Sequence, residues 1–281
     1  MKIGLHVRVA GGYANAVAHC QAVGANAMQV FSTNPRSYRT AATNTRALAE
    51  FAELRAQAGI AVCVTHTPYL VNLGSVDEKI FAGSVALLEN DLAVAGVGEI
   101  RYVNTHLGSY GKRDREEGFT AICRGLARAL AAIPPSVVLV LENSAGAGSL
   151  AGGTLEELGR FVRVLDHPQL GVCLDTAHAW AAGYEIDGPA GVGRFIDEAA
   201  ESIGLDRIHL FHFNDTEVPL GGNRDRHHHI GDGNIGFAGF AALLARPELL
   251  EKTAILETPG SDDDDKRNME TILTIARGAA A

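Results

Sequence analysis

The chain has 281 residues, 47% apolar and 20% charged, with a formal charge of −9 at pH 7. That length suits an α/β barrel, and that composition excludes global disorder and supports a large buried core. The acidic balance counts against a phosphate-binding surface unless bound cations change the local sum.

In chain order, short Val/Ile/Leu/Phe-rich runs recur at 3–7, 27–31, 61–66, 102–106, 137–143, 170–175, 208–214 and 254–257. Each reads as a parallel strand covered on both faces. Helical spacing lies between them at 47–58, 80–95, 119–131 and 155–165, the last opened by the capping box Thr154-Leu155-Glu156-Glu157. The alternation predicts a single (β/α)8 TIM barrel, closed by right-handed crossovers. No composition shift or linker divides the chain, so 1–281 is read as one domain. The run Asp262-Asp263-Asp264-Asp265-Lys266 reads as a solvated loop feeding acidic residues into the first turn of a last helix. Cys20, Cys63, Cys123 and Cys173 form no CxxC pair and read as reduced thiols. Neither an apolar leader nor a bilayer-length apolar run is present, so a cytoplasmic protein with no membrane partner is expected.

The informative positions are where the runs end. The third ends on His66, the fourth on His106, the fifth on Glu142, the sixth on Asp175 and the eighth on Glu257, while the seventh carries His212 near its end. Their spacing slightly exceeds the roughly 31 residues of one βα repeat, which puts all six at the C-terminal rim, where barrel active sites are built. Side-chain alternation points them inward. His66 follows Val62 and Val64, Glu142 follows Val138 and Val140, and His212 follows Ile208 and Leu210. By the same rule His209 is placed outside the barrel and left out, and His19 and His167 show no partner pattern. Two loops add donors, in Asp175-Thr176-Ala177-His178 and Arg224-Asp225-Arg226-His227.

The candidate metal ligands are therefore His66, His106, Glu142, Asp175, His178, His212, Asp225, His227 and Glu257. Unpaired carboxylates gathered this closely repel, so cations are needed to hold them. Imidazole and carboxylate together suit Zn2+, with Mn2+ or Fe2+ as substitutes, and this ligand count fits about three ions sharing carboxylates. Three dications would outweigh the four ligand carboxylates and leave a locally positive pocket for phosphate.

These residues lie in segments that closely resemble the bacterial endonuclease IV family, nearly end to end. The matching segments include His66-Thr67-Pro68-Tyr69-Leu70-Val71-Asn72-Leu73-Gly74, Leu141-Glu142-Asn143-Ser144-Ala145-Gly146 and Cys173-Leu174-Asp175-Thr176-Ala177-His178. Later ones are Phe211-His212-Phe213-Asn214-Asp215, Arg224-Asp225-Arg226-His227-His228, Gly231-Asp232-Gly233-Asn234-Ile235-Gly236 and Leu256-Glu257-Thr258. The resemblance implies a monomeric DNA-repair hydrolase acting on double-stranded DNA containing abasic sites. It would cut the phosphodiester 5′ to the lesion, leaving a 3′-hydroxyl and a 5′-deoxyribose phosphate, with metal-activated water as nucleophile. By the same resemblance, His66 and His106 hold one zinc, and Glu142 bridges to a second held by Asp175, His212 and Glu257. His178, Asp225 and His227 hold the third. Glu142 and Glu257 are the catalytic carboxylates, and Arg36, Tyr69 and Leu70 contact the DNA. Four positions depart from the usual family pattern, namely Arg8, Ser37, Leu107 and Tyr110, and none is a ligand.

Two other readings compete. A divalent-metal sugar isomerase or epimerase on a related barrel would use Glu142, Asp175, His178, His212 and Glu257, with no need for His66, His106 and the Asp225-x-His227 pair together. A non-catalytic DNA-binding module would need a basic stripe or a recognition-helix motif, and the sequence has neither.

Overall fold

The computed structural model describes residues 1–40 and 43–279. Eight parallel strands close into a barrel in chain order: β1 (Lys2–His6), β2 (Ala27–Phe31), β3 (Val62–His66), β4 (Tyr102–Thr105), β5 (Val138–Glu142), β6 (Leu170–Asp175), β7 (Ile208–His212) and β8 (Thr253–Leu256). Closure is made by β1 pairing with both β2 and β8. Around them run α1 (Tyr13–Ala22), α2 (Thr45–Gln57), α3 (Glu78–Val97), α4 (Arg115–Leu130), α5 (Leu155–Leu165), α6 (Thr176–Ala182), α7 (Pro189–Ser202), α8 (Gly236–Leu244) and α9 (Asp262–Ala279).

The barrel interior is a small aliphatic plug of Ala27, Val64, Val138, Val140, Cys173, Leu210 and Ile255. A much larger apolar layer fills the space between strands and helices, with Leu5, Leu88, Leu139, Phe161 and Phe211 among its buried members. Each such side chain contributes roughly 1.5–3 kcal/mol on burial. Helix starts follow the local chemistry. Asn44, Asp77, Asp114 and Thr154 accept from backbone N–H groups of the first turns of α2, α3, α4 and α5. The capping box at 154–157 is half formed. Thr154 caps the Glu157 N–H, but the Glu157 carboxylate turns to the N–H groups of Gly152 and Gly153 and to the Tyr110 hydroxyl. Among the described residues α3 alone has the length and hydropathy of a bilayer span, and half of that stretch is buried within the fold.

Three expectations need correction. The strand ends at positions four and eight fall one residue early, so His106 and Glu257 stand just beyond β4 and β8. The first strand ends on His6, not Val7. His209 does not face outward. Val172 of β6 pairs with Ile208 and Cys173 with Leu210, so His209 is an unpaired extra residue on β7. A bulge of this kind breaks the two-residue alternation. His209 consequently stacks on Tyr102, which packs against the interior plug. Gly171 makes room for it, since a Cβ there would lie 2.2 Å from the His209 ring. It occupies the N-terminal end of the barrel, away from the rim.

Candidate metal centre

At the C-terminal rim the strands deliver their last inward side chains to one point. Glu142, Asp175 and His212 are completely buried and form its floor. The two oxygens of Glu142 face different partners. Oε2 lies 3.3 Å from His66 Nε2 and 3.6 Å from His106 Nε2, whereas Oε1 lies 3.1 Å from His212 Nδ1. Glu257 Oε2 is also 3.1 Å from His212 Nδ1. Asp175 uses Oδ1 to cap α6, accepting from the His178 N–H, and turns Oδ2 toward His227 Nε2 at 3.6 Å and His212 Nδ1 at 3.8 Å. The helix cap and the site therefore share one carboxylate.

Donor atoms close enough to share an ion form three groups here: His66, His106 and Glu142; Glu142, Asp175, His212 and Glu257; and Asp175, His178 and His227. Asp225 Oδ1 lies 3.2 Å from His178 Nε2 and 3.4 Å from His227 Nε2, beside the third group. All nine candidate ligands thus converge, and Glu142 and Asp175 each belong to two groups.

Hydrogen bonds behind the rings fix which nitrogen faces the centre. A carbonyl can only accept, so His66, His178 and His227 donate from Nδ1 to the carbonyls of Thr67, Asn143 and Glu257, at 2.6, 3.0 and 3.1 Å. That leaves Nε2 inward on all three, and in His178 and His227 this atom is buried without a hydrogen-bond partner. Buried polar atoms are normally satisfied, so two orphaned imidazole nitrogens beside clustered carboxylates fit a metal. Asn104 donates to Glu142 Oε2 at 2.5 Å, and Asn214 donates to Asp175 Oδ2 at 2.6 Å while accepting from the Glu257 N–H at 2.8 Å.

The charges fit the same reading. Burial pushes Glu142 up, yet His106, His212 and His178 outweigh it and hold the carboxyl well below its ordinary range. Burial likewise opposes ionisation of Glu257, and His212 and His6 overcome it. Burial lowers His178, but Asp175, Asp225 and Glu142 carry it well above the ordinary imidazole value, and His212 is raised similarly against burial by Cys173, Glu257 and Glu142. Asp225 is pulled down to about 2, against burial, chiefly by His178. The buried carboxylates thus favour positive charge on His178 and His212.

A cleft of about 1450 Å³ opens above this floor, lined among others by His66, Tyr69, His106, Arg226, Glu257 and Arg8. A family profile described as "Xylose isomerase-like TIM barrel" matches residues 17–277. A probable endonuclease 4 from Natranaerobius thermophilus is 38% identical over 277 residues, covering 98% of each chain. Another from Solibacter usitatus is 38% identical over 283 residues, covering 98% of this chain and 97% of the relative. Endonuclease IV from Thermus thermophilus superposes with a TM-score of 0.88 at 35% identity, over 99% of this chain and 100% of that one. The chain belongs to the endonuclease IV family. Membership makes it a nuclease and a hydrolase. A D-tagatose 3-epimerase-like protein also superposes, with a TM-score of 0.75 over both full lengths, but at 20% identity that likeness shows the fold alone.

Tyr69 is 63% exposed and stands over Phe31 and His66, with ring centroids 5.3 and 5.9 Å apart. Arg36 is exposed in the turn after β2, and Leu70 is half-buried with its carbonyl accepting from the Tyr38 hydroxyl. Of the departures, Leu107 and Tyr110 are buried, and the Tyr110 hydroxyl binds Glu157 at 2.8 Å. Both pack the core under the rim. Arg8 lines the cleft, reaching the Gly260 carbonyl at 3.5 Å.

Four residues escaped sequence reasoning. His6 lies beside Glu257, its Nδ1 3.5 Å from Oε1. Reading the first strand as ending on Val7 hid it; a strand ending on His6 would have joined the pattern. His19 does have a partner, Asp265 at 2.9 Å, so the acidic run starts α9 as expected but also ties it to α1. Asp215 is fully buried and accepts from the N–H groups of Thr216, Gly231, Gly233, Ile235 and Gly236. It gathers the glycine-rich end of the long loop that carries Asp225 and His227, and a Cβ on Gly233 would come within 2.4 Å of its Oδ1. Gln29 is the fourth.

Proposed function

We propose that this chain repairs DNA in the bacterial cytoplasm by hydrolysing the phosphodiester 5′ to abasic sites in duplex DNA. The products are a 3′-hydroxyl and a 5′-deoxyribose phosphate. The cofactor is three zinc ions per monomeric chain, with Mn2+ or Fe2+ as substitutes. The observation that carries this is Glu142 offering its two oxygens to two different imidazole sets, beside orphaned buried nitrogens, in a chain of this family.

His66, His106 and Glu142 would hold one ion, and Glu142, Asp175, His212 and Glu257 a second. His178, Asp225 and His227 would hold the third, near Asp175. Bound there, the ions would bring the pKa of water toward neutrality and offset the charge of the phosphodiester. Of the carboxylates in the second group, Glu257 is the one that lines the open cleft, which suits it to orient the attacking water and take its proton. Arg36, Tyr69 and Leu70 sit on the rim, where side chains can enter the gap left by a missing base. Selectivity would follow from the low cost of kinking and unstacking DNA at such a gap.

The test is a labelled duplex carrying one reduced abasic analogue, which cannot undergo β-elimination. A single cut leaving a 3′-hydroxyl, lost on chelation and restored by zinc, is the expected result. An intact duplex after incubation with folded, zinc-loaded protein would reject the proposal.

A further inference from the structure

Gln29 is fully buried inside the barrel and belongs to none of the ligand groups. It lies in β2, two residues beyond Ala27 of the aliphatic plug, where the interior gives way to the polar groups of the rim. A buried amide there is costly unless its hydrogen bonds are made. Gln29 makes three. Its Nε2 is 2.6 Å from Glu257 Oε1 and 2.9 Å from His6 Nδ1, and its Oε1 is 3.0 Å from His212 Nε2.

The orientation of this amide follows from its neighbours. An ionised carboxylate only accepts, so the NH2 side must face Glu257; the reverse would set two acceptors against each other. The amide oxygen then faces His212, whose Nε2 must donate to it. The ring nitrogen left for a cation is then Nδ1, the atom that points at Glu142 and Glu257. The second amide hydrogen goes to His6 Nδ1, which places the His6 proton on Nε2.

We infer that Gln29 is a positioning residue of the metal centre: one buried amide fixes the Glu257 carboxylate, makes His212 a ligand through Nδ1, and sets the His6 proton on Nε2. The inference rests on the metal centre proposed above, and not on the DNA substrate. It assigns His212 the opposite ring nitrogen to His66, His178 and His227, which are tied through Nδ1 to backbone carbonyls.

Two measurements test it on the full-length protein loaded with zinc. Long-range 1H–15N correlation of the imidazoles in the wild type should show His6 and His212 both carrying hydrogen on Nε2, with signals assigned by their loss in His6→Phe and His212→Phe. A proton on Nδ1 of either ring overturns the inference. The near-isosteric Gln29→Met should bind zinc roughly 10–100-fold more weakly in competition with a chromophoric chelator. Its metal-free melting temperature should match the wild type. Unchanged zinc affinity, or a metal-free melting temperature that falls in step with affinity, makes Gln29 only a packing residue. Neither readout involves DNA, so a zinc-loaded chain that fails to cut abasic DNA would reject the proposed substrate and leave this result standing. A wild type that binds no zinc overturns both.

Discussion

Strand β7 carries two histidines three positions apart, and they lie at opposite ends of the barrel with opposite electrostatics. At the rim, Cys173 and the carboxylates of Glu257 and Glu142 outweigh burial and raise His212 well above its ordinary value. At the N-terminal end, burial assisted by Lys252, Arg101 and Arg207 pushes His209 down to about 4. The basic residues there are already spent on carbonyls, Lys252 on Leu205, Arg101 on Ser136 and Arg207 on His167 and Leu170. Those cations are satisfied, whereas the rim leaves two imidazole nitrogens bare. The difference separates stability from function within one sheet, as expected of the two faces of this fold.

The largest effect should come from the residue shared by two ligand groups. Glu142→Gln keeps the shape of the floor and removes the charge. Incision should fall on the order of 10³-fold or more, because residues acting as a unit fail together. Bound zinc should drop by more than one ion while circular dichroism stays unchanged; retention of all metal would contradict the shared role. Next, Asp215→Ala unpairs five backbone N–H groups at once. Bonds to a charged acceptor are each worth about 1.5–3 kcal/mol, so denaturant melts should show at least about 3 kcal/mol lost. The ion beside His227 should be the first to leave. Arg36→Ala should cost incision about tenfold at limiting enzyme and little at saturation, since an exposed rim cation acts through binding. Equal activity at limiting enzyme would remove Arg36 from the DNA interface.

The smallest effect is the sharpest comparison, because the histidines at the two ends respond to pH with opposite sign. His178 and His212 are raised in the folded state, so the stability they give the metal-free protein is present below about pH 6.5 and lost as pH rises through their folded values. His209 is lowered, so the unfolded chain binds a proton that the folded chain refuses, and stability is lost as pH falls from about 6.5 toward 4. His209→Phe keeps an aromatic ring on Tyr102 and should flatten only the acid side of a melting-temperature profile, without altering incision. A change on the alkaline side, or in activity, would break the separation of the two ends.

Much of this was legible in the sequence because strands and rim obey simple periods. The eight strand positions and the inward pointing of His66 and Glu142 followed from alternation, and that of His212 from Leu210 but not from Ile208, which the bulge leaves in the outer layer; the polar strand ends marked the rim. Legibility failed where a local irregularity or a long-range bond decided the outcome. The β7 bulge overturned the reading of His209, and a one-residue shift at the end of β1 hid His6. Gln29 and Asp215 were invisible because an inward Gln or a loop Asp declares its partners only in three dimensions. The glycines around 231–236 were recognisable as a motif, but their reason, five N–H groups meeting one carboxylate, was not.

The measurement that reaches the central claim most directly is a zinc titration of metal-stripped protein against incision of the reduced abasic duplex. Three ions held by nine side chains predict activity that stays near zero at one equivalent and reaches its plateau at three per chain. Full incision at one equivalent, or undiminished incision by the stripped protein, would contradict it.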